Sequence, residues 1–137
     1  MKDSHASVHW GGNGFFIGIS PSGHAITIDI DGERSSAPSP MELLMVALGG
    51  CTGGDVVSIL EKKRLRVTDY RIEVRGERRK EHPRAFKKLE VRHILLGEGL
   101  RDDAVKQAVR LSTNTAAWRR RGAAEIVANY VIENGRG

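Results

Sequence analysis

One side chain in this sequence has the chemistry of a soft nucleophile, and it occurs once: Cys51. A cysteine reacts as its thiolate. Helix N-termini and nearby cations favour that form, and apolar burial opposes it. Cys51 sits within Gly49-Gly50-Cys51-Thr52-Gly53-Gly54, with Thr52 and Asp55 as the nearest polar groups. Glycines inside a helical pattern cost about 1 kcal/mol each relative to alanine, so something must offset four of them. Close approach of another backbone would do so, as would a thiol that must be reachable. A break between two helices is a further option, and a new helix starting near Thr52-Gly53 would aim backbone N–H groups at the sulfur. A lone cysteine in an apolar helix is also a common small hydrophobe. The residues alone leave nucleophile and core residue both open.

No second constellation competes. His5, His9, His24, His82 and His93 are scattered, without the spacing of ligands on one helix. No Walker or dinucleotide-binding glycine pattern occurs. Neither a metal nor a cofactor is therefore expected. Trp10 and Trp118 read as core or interface residues.

The elements around Cys51 follow from periodicity. Residues 7–10 and 14–20 are strand-like, with Gly11 and Gly12 between them. Ala25–Ile30 alternates Ile26, Ile28 and Ile30 with Thr27 and Asp29, and Pro21-Ser22-Gly23 supplies the turn before it. Ser39-Pro40-Met41-Glu42 has a helix N-cap, proline at the first helical position, and the glutamate of a capping box. A helix of about Pro40–Lys63 should follow, with a Lys/Arg-rich end. Two strands, Val67–Arg79 and Ala85–Leu96, flank the turn Lys80-Glu81-His82-Pro83 and should form an antiparallel hairpin. An amphipathic helix of about Leu100–Thr115 and a strand of about Ala123–Glu133 complete the chain. The expected class is α+β with antiparallel sheets, as one domain over residues 1–137.

The single thiol cannot form an internal disulfide, and the N-terminus lacks a secretory pattern. Both point to a reducing cytoplasm. The longest apolar run, Leu43–Leu48, is short for a membrane span. The net charge is +5, concentrated between Arg64 and Lys88, where ten basic residues meet four acidic ones. These charges alternate with apolar residues and lack base-stacking aromatics, which favours a solvated sheet face over a nucleic-acid surface.

The run from Ser39-Pro40-Met41-Glu42-Leu43-Leu44 through Gly49-Gly50-Cys51-Thr52 to Ser58-Ile59-Leu60 resembles the central helix of the OsmC/Ohr superfamily, and the element order agrees along nearly the whole chain. The pattern is similar to the branch with Pro-Met-Glu-Leu-Leu and Gly-Gly-Cys-Thr. The resemblance implies antiparallel sheets around a long central helix in an intertwined homodimer. The site would form between subunits, and the glycines would serve backbone approach. It implies thiol-dependent reduction of organic hydroperoxides (a peroxidase of oxidative-stress defence), with Cys51 as the peroxide-reacting residue.

The family's other parts do not carry over. The resolving cysteine falls at or near Ala117, the hairpin arginine at Asn13, and the glutamate after the proline at Met41, with Glu42 about 100° further round the helix. Thr52 adjoins the thiol. Arg34, Arg119, Arg120 and Arg121 are the candidate substitutes for the missing guanidinium. Without a resolving cysteine, an external thiol must reduce oxidised Cys51. The competing reading is a non-catalytic binder of an apolar small molecule in a dimer-interface pocket lined by Met41, Leu44, Met45 and Leu48.

Overall fold

The computed structural model describes residues 4–81, 85–115 and 125–134. The chain divides into two compact units, with the boundary after Leu44.

The first unit is a three-stranded antiparallel meander of β1 (Ser7–Gly12), β2 (Phe15–Ile19) and β3 (Ala25–Asp29), in that order. Gly12, Asn13 and Gly14 all have positive φ, at 84°, 55° and 82°. Glycine and asparagine tolerate this region best, so the tight β1–β2 connection explains all three. Beyond β3 the loop is organised by one buried carboxylate. Asp29 accepts from the backbone N–H of Asp31 and Ser36, both at 2.9 Å, and from Arg34 Nε at 2.9 Å and Nη2 at 2.6 Å. The expected inward face of Ile26, Ile28 and Ile30 is not borne out within this chain: Ile26 and Ile30 are exposed, and Asp29, held by Arg34 and two backbone N–H groups, is the buried residue. Trp10 is 71% exposed, so it is not a core residue of this chain.

Helix α1 (Pro40–Lys62) begins in the first unit and continues into the second. Its capping box forms as the sequence predicts: Glu42 N–H donates to Ser39 Oγ at 3.1 Å, and Ser39 N–H donates to Glu42 Oε1 at 2.9 Å. The helix runs unbroken through its glycines. It ends in a Schellman arrangement, with Leu65 N–H donating to Leu60 O and Arg64 N–H to Glu61 O. Arg64 thus occupies the left-handed position, φ 61°, where glycine is usual. By length and composition α1 could cross a bilayer. A buried stripe of Leu48, Gly49, Thr52, Gly53, Val56 and Leu60 gives its apolar content the role of a core helix.

The second unit continues with β4 (Arg66–Arg78), β5 (Phe86–Glu98), α2 (Asp102–Thr115) and β6 (Glu125–Asn134) in a sheet ordered β4-β5-β6. Pairing of β4 with β5 is antiparallel, but β5 and β6 are parallel. The expected antiparallel pairing thus holds for β1-β2-β3 and for β4-β5, and the parallel β5–β6 pair corrects it for the last strand. Two adjacent strands joined by a helical crossover return in the same direction, and α2 lies within that connection. Val56 and Leu60 of α1, Leu95 of β5, and Ala104, Val105, Ala108 and Val109 of α2 form the core.

Candidate functional site

The glycines of α1 fall into two pairs with different surroundings. Gly49 and Gly53 face β4. A Cβ on Gly49 would lie 3.3 Å from Val74 Cγ2, and one on Gly53 would overlap Ile72 Cδ1. Helix-to-sheet approach therefore accounts for these two. Gly50 and Gly54 would meet nothing within 4 Å, and they lie on the other side of the helix with Ala47, Cys51 and Ser58, all exposed.

Cys51 is a free, exposed thiol in mid-helix. Because α1 does not break, the sulfur is not at a helix N-terminus, and that proposed source of N–H groups is removed. Among the described residues no group hydrogen-bonds to Sγ. Thr52 points the other way: it is buried, and its hydroxyl donates to Leu48 O at 2.9 Å and Gly49 O at 3.3 Å. Glu42 is held by the capping box. Met41 is half-buried at the helix start, and Asn13 is exposed in the β1–β2 turn. Leu48 is fully buried, so it is part of the core rather than an open pocket wall. Position 117 and Arg119, Arg120 and Arg121 lie outside the described residues, as does Trp118.

Arg34 is bound bidentately by Asp29, and its guanidinium carbon lies 3.9 Å from the Phe15 ring centroid. That pairing holds the Asp29 carboxyl well below the usual carboxylate range and raises the guanidinium further. Planar bidentate geometry of this kind fixes an arginine in place.

Sequence reasoning missed a buried polar pair. Tyr70 on β4 and His93 on β5 meet on the helix-facing side of the sheet, with the hydroxyl 2.6 Å from Nδ1. His93 is fully buried, and its Nε2 has no partner among the described residues. Burial lowers the histidine to about 4 and raises the tyrosine. At neutral pH the phenol therefore keeps its proton and the ring is neutral, so a single hydrogen bond joins the hydroxyl and Nδ1. The signal was present in Leu89-x-Val91-x-His93-x-Leu95, where a histidine occupies an apolar position of an alternating strand.

The basic stripe resolves into cross-strand neighbours of opposite sign. Glu73 is opposite Arg92, Arg75 opposite Glu90, Glu77 opposite Lys88, and Lys88 opposite Glu125. Such pairs offset one another, which supports a solvated face rather than a polyanion surface. Among the described residues no three His, Cys, Asp or Glu side chains converge as metal ligands would.

The family model described as OsmC-like protein matches residues 31–118. The chain belongs to the OsmC-like family. It is 45% identical over 107 residues to Protein YhfA of Escherichia coli K12, covering 78% of this chain and 79% of that protein. Among solved structures it resembles a hypothetical protein from Aquifex aeolicus VF5, with TM-score 0.86, 27% identity and coverage of 99% and 100% of the two chains. It also resembles the organic hydroperoxide resistance protein OhrB of Bacillus subtilis, with TM-score 0.65 and 15% identity over 95% and 98%. At that identity OhrB shows the shared α+β fold alone.

Proposed function

We propose that this OsmC-like protein is a one-cysteine hydroperoxide reductase of oxidative-stress defence, acting as a homodimer in a reducing, cytoplasmic setting. The observation that carries the reading is the exposed sulfur of Cys51 on the family's helix, reachable by substrate. The kinship with a hydroperoxide resistance fold suggests the substrate class. The thiolate attacks the distal peroxide oxygen, the O–O bond breaks, and the alkoxide leaves with a proton as the alcohol. Cys51 becomes a sulfenic acid. A first external thiol condenses with it, releasing water and giving a mixed disulfide. A second thiol attacks that disulfide, restoring Cys51 and leaving the two reductants joined. Intact-mass analysis after one equivalent of cumene hydroperoxide with dimedone tests the first step. A single dimedone adduct at Cys51 is expected, and unmodified protein would end the reading.

A second copy is supported by surfaces this chain leaves uncovered. Val8, Trp10, Ile26, Ile30 and Leu44 in the first unit and Val46 in the second are exposed, and open space lies over Gly50 and Gly54. Sedimentation should give a dimer that Gly50→Leu weakens, and a monomeric wild type would contradict it. The non-catalytic binder is the second reading. It is favoured by a thiol with no hydrogen-bond partner among the described residues and by the use of Glu42 in the helix cap. Absence of turnover together with a co-purifying apolar ligand in native mass spectra would select it.

A further inference from the structure

The turn of α1 that carries Cys51 is the weakest part of that helix. Gly49, Gly50, Gly53 and Gly54 fall within it, and each lowers helical stability relative to alanine. Toward the sheet, Gly49 and Gly53 offer no side chain. Thr52 spends its hydroxyl on Leu48 O and Gly49 O of its own helix. Contact with β4 keeps residues 49–53 in place. A Cβ on Gly53 would overlap Ile72 and lie 3.7 Å from Tyr70 Cε2, and one on Gly49 would reach Val74. The next two turns are anchored differently, because Val56 and Leu60 belong to the core shared with α2.

Beneath this β4 contact lies the buried polar pair. Tyr70 Oη and His93 Nδ1 are 2.6 Å apart, His93 is paired in register with Ile72, and its Nε2 has no partner among the described residues. Protonation turns both ring nitrogens into donors and adds a charge. No carboxylate stands free to receive it. On β6 the residue in register with His93 is Tyr130, and its hydroxyl is committed to Asp102. The buried residues of α1 and α2 are apolar, glycine, serine or threonine. A charged imidazole is therefore disfavoured while the seam is closed and is solvated once water enters it.

We propose that the Tyr70–His93 pair is an acid-sensitive latch: protonation of His93 releases residues 49–53 of α1 from β4 while the core anchored by α2 stays closed, and so removes the helical frame of Cys51 in mild acid. The latch makes no use of thiol chemistry. Its role as regulation of Cys51 rests on the function proposed above.

Native-state amide exchange of the full chain, taken relative to the intrinsic rate at each pH, reads the opening without any measurement of turnover. The opened histidine titrates near its ordinary 6.5, and the closed one at about 4. The opened state thus binds the extra proton between those values, and opening becomes more favourable as pH falls through the window. From pH 7 to pH 5 the amides of residues 52–57 should exchange about 20-fold faster. At pH 5 their exchange should depend on urea with a slope well below that of the global melt, because a local opening exposes little surface. His93→Gln keeps an acceptor for Tyr70 and does not titrate, so it should abolish the acceleration. The urea slope is read on the wild type, so the test stands even where the variant fails to fold. Three results would overturn the latch: no acceleration at pH 5, the same acceleration in His93→Gln, or a urea slope equal to that of global unfolding.

Discussion

His93 makes folding sensitive to mild acid, and the size of the effect follows from its burial. The unfolded chain carries a histidine near 6.5, whereas the folded one titrates at about 4. Between those values the unfolded state binds a proton that the native state refuses. Stability therefore rises with pH across this window and falls as pH drops through it. One unit is worth about 1.4 kcal/mol, so the whole interval amounts to about 3 kcal/mol, and the step from pH 7 to pH 5 alone to about 2 kcal/mol.

Protonation makes Nδ1 a donor only, so the Tyr70 oxygen must accept across their 2.6 Å contact, and the added charge has no carboxylate bonded to it among the described residues. Asp29 does not contribute in this range. Its carboxyl is depressed in the folded state, so its stabilisation is complete above the ordinary carboxylate range and is lost only below it. Urea melts at pH 7 and pH 5 on the wild type and on His93→Gln give the comparison, because glutamine offers Tyr70 an acceptor and does not titrate. The wild type should lose about 2 kcal/mol, or about 7 °C in Tm for a chain of this length, and the variant much less. Equal losses in the two proteins would refute the argument.

Two further predictions concern packing and backbone. Arg64→Gly should raise stability by about 0.5–1 kcal/mol in chemical denaturation, because glycine takes the left-handed position after α1 without the Cβ penalty. Gly53→Val should lower stability by about 1–3 kcal/mol by driving a branched side chain into Ile72.

Much of the fold was legible because local rules agreed with one another. Ser39, Pro40 and Glu42 start α1 where a capping box requires, and the alternating residues of β4 and β5 pair as a hairpin. The parallel β5–β6 pairing was not legible, because a strand's own pattern does not state its direction beside a non-sequential neighbour. Half of the glycine puzzle was answered within the chain: Gly49 and Gly53 admit β4, a tertiary fact that no helical propensity encodes. The exposure of Cys51 could not be read from its type, since cysteine is among the residues most often buried. Glu42 shows the opposite case, a candidate site residue whose local sequence role as a cap partner takes up its carboxylate. The Tyr70–His93 pair needed the register of two strands before its members could be seen as neighbours.

The account stands on Cys51 as a working nucleophile. Its most direct test is steady-state reduction of cumene hydroperoxide with dithiothreitol as the external thiol, comparing wild type with Cys51→Ser. Turnover by the wild type that is lost in the serine variant is the predicted result. Equal rates for the two proteins, at the level of the uncatalysed reaction, would contradict it.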